Sequence, residues 1–276
     1  MWRASSEPPY DPAVPSPGEF VELRARGSIG WIREDLAGLG LEAFWAQLEP
    51  MPGAKGRGGV GRLRVGECEI VVRPYRRGGA LGRLLEDRYM RPSRARKELE
   101  LHEAMRSEGV PVVVPVAALA RRGRAFWRLR LCTELLPDAL PLPAFVAANP
   151  ALRRYAVEAA GIVVRLAFEA GLQHPDLHPD NLLCCARGDR VRAVLVDLDR
   201  ARQQKPLAEA ARDTMLVRMQ RYLVRHAGKL AATPGRGDTM RFLKALGLER
   251  EQRHAAWRRL AVAVQRAIGR RRWLRR

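Results

Sequence analysis

The sequence contains few cysteines and no long apolar segment. Its four cysteines, among 276 residues, form no C-x-x-C pair, and the adjacent Cys184 and Cys185 cannot readily bridge each other or build a zinc site. We therefore expect reduced cysteines inside the core. No apolar run approaches the ~20 residues that a membrane-spanning helix needs, and residues 1–18 lack the apolar core of a signal peptide. These absences predict a protein that stays in the cytoplasm.

Lysine is scarce, yet the chain is strongly basic. Lys and Arg together number 50 against 30 Asp and Glu, which gives a formal net charge of +20, and nearly all of the cations are arginines. This excess implies attraction to an acidic partner, which is a nucleic acid, an anionic membrane surface or a phosphorylated substrate. The sign of the charge alone does not choose among the three. The length suffices to bury a large core and fits a bilobal enzyme.

The segment from His174 to Asn181 fits the pattern H-x-D-L-x-x-x-N. In phosphotransferases with this pattern, the Asp accepts the proton of the attacking hydroxyl and the Asn five positions later binds a metal ion. These positions are Asp176 and Asn181 here, and Asp197 supplies a further carboxylate for Mg²⁺. Apolar runs on both sides of a turn near residue 188 predict a two-stranded ribbon that brings the three side chains together. A loop that merely satisfies its own backbone is the alternative.

Within the same loop, His174 is expected to brace the chain through hydrogen bonds, and a role as the base is the less favoured reading. The residue before Asp176 is Pro175, where protein kinases carry Arg, and no Ala-Pro-Glu motif follows Asp197. Both departures argue against a protein substrate and against regulation by loop phosphorylation.

The residues Gly56, Arg57, Gly58 and Gly59 begin a segment that matches G-x-G-x-x-G and lies between two predicted strands. Glycines let a backbone approach phosphate groups closely, and Arg57 would add positive charge. A flexible turn is the alternative for such a pattern. Its position upstream of the catalytic loop favours a nucleotide-binding role.

Arg73 ends the next strand, where protein kinases carry a Lys that pairs with nucleotide phosphates and with a helix Glu. Arginine keeps the charge, although its planar fork differs from an ammonium group. The helix predicted over residues 93–106 offers Glu98 and Glu100, which face different sides because they lie two positions apart. Glu98 is the preferred partner and Glu100 remains the alternative. A solvated charged helix would explain both residues equally.

Two further segments are candidates for ligand contact. Residues 132–137, which include Glu134 and Leu135, are expected to connect two lobes and to bind adenine through backbone groups, although an ordinary strand end is an equal alternative. Arg76 and Arg77 precede two glycines and form a basic turn suited to a carboxylated and phosphorylated acceptor. A solvated turn is again the alternative.

Helices are predicted over residues 208–226 and 239–272, separated by a break at 233–235. From residue 254 onward, Trp257, Leu260 and Val264 share one face, and arginines cover the others. This basic amphipathic helix is expected to pack on the larger lobe and also to contact an anionic membrane surface.

Over roughly residues 55–199, the chain resembles the bacterial lipopolysaccharide kinases, in particular those that act on 3-deoxy-D-manno-octulosonic acid (Kdo). The discriminating motifs are Tyr-Arg-Arg-Gly-Gly and the Asp-Arg-Tyr that follows it. The resemblance rests on residues 56–59, 72–79, 87–89 and 109–112, on Glu98, on the loop of residues 174–181 and on residues 197–199. The chain departs from the family in its long N-terminal arm, in Pro74 where the family usually has His, and in a C-terminal extension from about Lys229.

The resemblance implies ATP-dependent phosphorylation of a sugar hydroxyl, O-4 of Kdo on Kdo-lipid A, at the inner face of the inner membrane. It also implies ATP and Mg²⁺ as cofactors, and no specific nucleic acid is expected as a partner. The predicted fold class is α+β, protein-kinase-like and bilobal. We expect a disordered arm (1–18), an antiparallel-sheet N-lobe (19–136) and a mostly helical C-lobe (137–276). The alternatives are a small-molecule sugar or aminoglycoside kinase and a kinase-like scaffold without activity.

Overall fold

A computed structural model describes residues 18–51, 59–76, 88–188 and 190–273. These residues form two compact units. The N-terminal unit comprises the described residues of Pro15–Ser107 together with Val113–Leu136. The C-terminal unit comprises Glu108–Val112 and the described residues of Pro137–Arg276.

A seven-stranded antiparallel sheet dominates the N-terminal unit. Its strands are β1 (Phe20–Ala25), β2 (Ser28–Arg33), β3 (Glu49–Pro50), β4 (Gly61–Val65), β5 (Cys68–Pro74), β6 (Pro115–Arg122) and β7 (Trp127–Glu134). Their order in the sheet is β1-β2-β6-β7-β5-β4-β3. Strand β4 shows why such segments form strands, because its buried Leu63 and Val65 alternate with exposed arginines and so place apolar side chains on one face only.

The two faces of this sheet carry separate apolar clusters. Neighbouring residues of a strand point to opposite faces, so Ile32 and Trp31 of β2 belong to different clusters. The Ile32 side packs against the short helices α1 (Glu34–Ala37) and α2 (Gly40–Ala43). The Trp31 side includes Leu99 of the longer helix α3 (Ser93–Ser107). Because Leu99 packs into this cluster, the face that α3 presents to the sheet is fixed.

The C-terminal unit is mostly helical. Its helices are α4 (Leu142–Ala148), α5 (Arg153–Glu169), α6 (Glu209–His226), α7 (Arg236–Ala245) and α8 (Arg250–Trp273). Its short strands are β8 (Leu140–Pro141), β9 (Leu172–Gln173), β10 (Leu182–Arg187), β11 (Arg190–Leu195) and β12 (Arg202–Gln203). Strand β10 lies between β11 and β8, and β12 pairs with β9.

The prediction of one helix over residues 239–272 is wrong. Helix α7 ends at Ala245 and α8 begins at Arg250, because Gly247 adopts the left-handed conformation with φ of 87°. The N–H of Gly247 donates to the carbonyl of Lys244 at 2.9 Å, and the N–H of Leu248 donates to the carbonyl of Leu243 at 3.3 Å. These bonds satisfy the last carbonyls of α7 and end the helix.

Gly161 marks the closest approach of two helices. A Cβ atom added at this position of α5 would lie 2.5 Å from the Cβ of Ala245 and 2.9 Å from the carbonyl oxygen of Phe242, both in α7. Both distances are far below van der Waals contact, so α5 and α7 pack at this spacing only because position 161 has no side chain.

The cysteines are free, and Cys132, Cys184 and Cys185 are buried while Cys68 is half-buried. Burial raises the pKa of the thiols of Cys132 and Cys184 to about 12, which keeps them protonated and unreactive near neutral pH. None of the described helices is long and apolar enough to cross a membrane.

Candidate active site

The predicted catalytic loop lies between β9 and β10. Residues 174–178 are followed by a single 3₁₀ turn, Pro179–Asn181, which leads directly into β10. Strands β10 and β11 pair with Leu182 opposite Leu195, and the N–H of Val196 donates to the carbonyl of Asn181 at 2.9 Å. Asn181, directly before β10, and Asp197, shortly after β11, therefore lie at the same end of the two-stranded ribbon.

Both backbone groups of Asp176 are held by side chains of its own loop. Its N–H donates to Nδ1 of His174 at 3.1 Å, and its carbonyl oxygen accepts from the amide nitrogen of Asn181 at 3.0 Å. The carboxylate itself is 66% exposed. The loop thus fixes the backbone of Asp176 and leaves its carboxylate accessible to a substrate.

His174 is buried, with a relative exposure of 1%. Burial lowers the pKa of its imidazole to about 4, so the ring is neutral at physiological pH and Nδ1 can accept the bond from Asp176. The backbone N–H of His174 donates to the sulfur of Met215 in α6 at 3.1 Å. His174 therefore connects the catalytic loop to the helical core.

Asp197 adopts φ of 60°, the left-handed region that residues other than glycine rarely occupy. Such conformations cost roughly 1–3 kcal/mol and concentrate at functional sites. The residue that follows it, Leu198, is almost completely buried, and this anchor holds the backbone in place.

The donor set at this end of the ribbon fits Mg²⁺. Asn181 and Asp197 offer an amide oxygen and a carboxylate, which are hard oxygen ligands, and the bond from Asn181 to Asp176 uses only the amide nitrogen. The described residues contain no group of three or more His, Cys, Asp or Glu side chains that could hold a metal ion. That shortage does not conflict with Mg²⁺, which commonly takes one or two protein oxygens and completes its shell with phosphates and water.

Helix α6 adds residues that sequence reasoning missed. The ring of Tyr222 stacks on His178 at 4.4 Å between centroids, with planes 11° apart, and its hydroxyl donates to Asp180 at 2.6 Å. Nε2 of His178 lies 3.8 Å from the carboxylate of Asp176, and a guanidinium nitrogen of Arg218 lies 3.7 Å from it. The only signal in the sequence was that positions 218 and 222 lie one helical turn apart.

The N-terminal unit contains a second set of polar residues around Glu98. Arg73 of β5 forms a salt bridge with Glu98 of α3, and the hydroxyl of Tyr75 donates to the same carboxylate. The side chain of Glu98 is only 3% exposed, whereas that of Arg73 is 26% exposed. Glu100 instead pairs with Arg96 on the exposed side of α3. The structure therefore brings Arg73 to Glu98 and not to Glu100.

The connector residues are partly occupied by contacts within the N-terminal unit. The N–H of Glu134 donates to the backbone carbonyl of Val114 at 2.8 Å, and the N–H of Leu135 donates to the backbone carbonyl of Glu69 at 2.9 Å. The carboxylate of Glu134 forms a salt bridge with Arg33. Any contact of these two residues with a purine would therefore use their carbonyl oxygens or side chains.

Some of the predicted contacts lie outside the described residues. They are Gly56, Arg57, Gly58 and Arg77. Their described neighbours are Gly59, which has φ of 77°, and Arg76, which is exposed.

An apolar cavity of about 110 Å³ lies among the helices of the C-terminal unit, with Leu142, Val157, Met219, Phe242 and Leu260 in its lining. Its lining is mostly apolar, and the two charged residues in it, Arg153 and Asp238, form a salt bridge with each other, so it is poorly suited to bind a sugar or a phosphate.

Comparison with solved structures identifies the fold. The chain matches a structure titled "WaaP in complex with acyl carrier protein" with a TM-score of 0.55, 20% sequence identity, and coverage of 85% of this chain and 92% of that one. This similarity confirms the predicted α+β, protein-kinase-like fold. The chain therefore has a protein-kinase-like fold, and a fold by itself does not specify an activity.

Sequence comparisons identify the family. A profile described as "Lipopolysaccharide kinase (Kdo/WaaP) family" matches residues 42–246, so the chain belongs to this family. Proteins named 3-deoxy-D-manno-octulosonic acid kinase are similar to it. That of Photobacterium profundum is 31% identical over 68% of this chain and 79% of its own length. That of Xylella fastidiosa strain M12 is 28% identical over 83% of this chain and 93% of its own length. The predicted family is thereby confirmed, and the match extends beyond the expected range of 55–199 at both ends.

Proposed function

We propose that this protein transfers the γ-phosphate of ATP to O-4 of a Kdo residue attached to lipid A. Membership of the family makes the chain a kinase that phosphorylates a sugar hydroxyl of the lipopolysaccharide inner core. Kdo is favoured as the acceptor because the similar curated proteins carry the name of the Kdo kinase. The observation that carries the proposal is the exposed carboxylate of Asp176 on a loop fixed at both backbone groups.

In this proposal Asp176 orients the acceptor hydroxyl and accepts its proton. A base must lie within hydrogen-bond reach of the proton it removes, and the exposed carboxylate of Asp176 is open to an incoming sugar. His174 is the support that holds the loop, since its buried neutral ring accepts the N–H of Asp176. Positioning and charge neutralisation then supply most of the catalysis, as in other phosphoryl transfers.

Arg73 binds the phosphates of the nucleotide, and Glu98 holds Arg73 in place through the salt bridge. The glycine-rich segment of Gly56, Arg57, Gly58 and Gly59 adds backbone contacts to those phosphates.

Asn181 and Asp197 hold Mg²⁺, which when bound neutralises charge that develops on the phosphate oxygens. Glu134 and Leu135 contact the adenine, and Arg76 and Arg77 contribute positive charge toward the acceptor.

We place the protein at the cytoplasmic face of the inner membrane, where a lipid-linked acceptor is reached. Helix α8 supports this location through its charge rather than through its apolar face. Ala256, Leu260 and Val264 of α8 are buried within the C-terminal unit, whereas Arg258 and Arg266 are exposed. Each arginine near an anionic surface contributes roughly 1 kcal/mol to binding. Contact with the membrane would therefore be electrostatic and sensitive to salt.

The deciding experiment is mass spectrometry of Kdo-lipid A after incubation with purified protein, ATP and Mg²⁺, with the Asp176→Asn variant as the control. We expect a gain of one phosphate on the Kdo residue with the wild type and none with the variant. ATP hydrolysis without phosphate on Kdo-lipid A would instead indicate another sugar acceptor. Absence of both transfer and nucleotide binding would refute the proposed enzyme and favour a scaffold.

A further inference from the structure

One face of helix α6 is attached to the catalytic loop at three points. The backbone N–H of His174 donates to Met215, and Tyr222 both stacks on His178 and donates to Asp180. Positions 215, 218, 219 and 222 recur at helical spacing and share this face. Arg218 therefore lies between contacts that hold the helix against the loop, and these contacts fix its backbone relative to Asp176.

Arg218 faces the catalytic carboxylate without being hydrogen-bonded to it. The guanidinium nitrogen and the carboxylate oxygen of Asp176 are 3.7 Å apart, and the two side chains are 46% and 66% exposed. An exposed ion pair of this kind contributes little to stability. Among the described residues, Asp176 is the only acidic partner of Arg218. The donors of the guanidinium thus remain available to a ligand that approaches Asp176.

The proposed acceptor carries an anion at a suitable place. In Kdo, one ring carbon separates the carbon that bears the carboxylate from the carbon that bears the 4-hydroxyl group. A sugar whose hydroxyl is hydrogen-bonded to Asp176 therefore presents its carboxylate on the same ring, close to the guanidinium beside Asp176. Arginine binds carboxylates through two parallel N–H donors, which provides geometric selectivity as well as charge.

We propose that Arg218 binds the carboxylate of the acceptor sugar and thereby selects an acidic sugar and orients its hydroxyl toward Asp176. This inference rests on the proposed function and adds the residue that distinguishes a sugar acid from a neutral sugar. Arg218 is a substrate-binding residue in this proposal, and the base remains Asp176.

The test compares two acceptors, Kdo-lipid A and the same glycolipid with its Kdo carboxylate converted to a carboxamide, using wild type, Arg218→Gln and Arg218→Lys. We expect Arg218→Gln to raise KM for the carboxylate acceptor by about 10- to 50-fold, as for loss of a charge-assisted hydrogen-bonded pair. KM for ATP should stay unchanged, and Arg218→Lys should restore part of the loss. With the carboxamide acceptor, wild type and Arg218→Gln should differ by less than about twofold.

Arg225→Gln is the matched control. Arg225 lies on the same helix, is exposed and makes no ion pair with any described residue, so its loss should leave both KM values unchanged.

Equal losses of kcat with both acceptors in Arg218→Gln would overturn the proposal, because Arg218 would then act by orienting Asp176. A rise in KM for ATP alone would assign Arg218 to the nucleotide, and an equal rise in KM for both acceptors would assign it to a phosphate of the lipid. Failure of the wild type to phosphorylate Kdo-lipid A would instead refute the proposed function.

Discussion

Nδ1 of His174 accepts the backbone N–H of Asp176 at 3.1 Å, so the bond that fixes the catalytic loop requires a neutral imidazole. Because the folded protein holds the pKa of His174 at about 4, below the ordinary value of about 6.5, the unfolded chain binds a proton more readily. The contribution of this group to stability is therefore complete above pH 6.5 and is lost as the pH falls toward 4.

We expect the free energy of unfolding of the wild type to fall by about 2–4 kcal/mol more than that of His174→Asn between pH 7 and pH 4. Asparagine keeps an acceptor for the N–H of Asp176 but does not titrate. Urea unfolding of both proteins across this range measures the difference. Parallel curves for the two proteins would show that His174 is protonated in the folded state as readily as in the unfolded chain.

Replacement of the proposed base separates binding from transfer. We expect Asp176→Asn to bind ATP with unchanged affinity and to lose transfer by about 10²- to 10⁴-fold, which is the usual contribution of a general base. Titration with a fluorescent nucleotide and a transfer assay measure the two quantities. Wild-type turnover in this variant would contradict the assigned role of Asp176.

Arg73 is expected to depend on its charge more than on the shape of its side chain. Arg73→Lys should retain more activity than Arg73→Ala, because lysine still offers a cation to the phosphates and to Glu98. Arg73→Ala also leaves the buried carboxylate of Glu98 without this cation, which should lower the free energy of unfolding by about 3–5 kcal/mol.

Activity and denaturant unfolding should be measured together for the Arg73 variants, so that a folding defect is not mistaken for lost nucleotide binding. Arg96→Ala serves as the control, since Arg96 pairs with Glu100 on the exposed side of the same unit, and it should change stability by less than about 1 kcal/mol. Equal losses of activity in Arg73→Lys and Arg73→Ala would show that the fork geometry matters more than the charge.

Asp238 links the start of α7 to α5. Its carboxylate accepts two bonds from Arg153, at 3.0 and 2.6 Å, and one from the N–H of Gly235 at 2.8 Å. Burial alone would raise the pKa of Asp238, but the bonds from Arg153 and Gly235 outweigh it and hold the pKa below its ordinary value. The stabilisation is thus present above the unfolded pKa of about 3.9 and is lost as the pH falls through the lower, folded value.

We expect Asp238→Ala to lower the free energy of unfolding by about 1–3 kcal/mol at pH 7, and this difference from the wild type should shrink below about pH 4. Arg241→Ala is the control, because Arg241 lies 3.7 Å from the other oxygen of Asp238 and is 40% exposed. A difference between Asp238→Ala and wild type that persists at pH 2 would indicate that the effect comes from packing and not from charge.

The local parts of the site could be predicted from the sequence because their geometry follows from short-range periodicity. Asp176, Asn181 and Asp197 flank one two-stranded ribbon. Predicting that they lie near one another therefore required only the correct pairing of β10 with β11. Glu98 was preferred over Glu100 because residues two positions apart face different sides of a helix, and the structure places Glu98 on the buried side of α3.

The remaining parts could not be predicted, because they depend on packing between distant segments. Arg218 and Tyr222 lie far along the chain from the loop they contact, and no periodicity indicates which helix face meets that loop. Strand β2 runs from Ser28 to Arg33, and a short apolar run of this kind does not by its periodicity distinguish a strand from a helix. The break at Gly247 was missed because an isolated glycine in a helical pattern is often tolerated.

Position 161 has no space for a side chain, and this affects how mutations in this protein are interpreted. Any side chain there would force α5 and α7 apart, and α5 precedes the strand that enters the catalytic loop while α7 carries Asp238. A screen for lost activity would therefore report position 161 as if it belonged to the active site, although it contacts no reacting group. Thermal unfolding of such variants, measured beside their turnover, distinguishes a helix displaced from its neighbour from a residue that takes part in the chemistry.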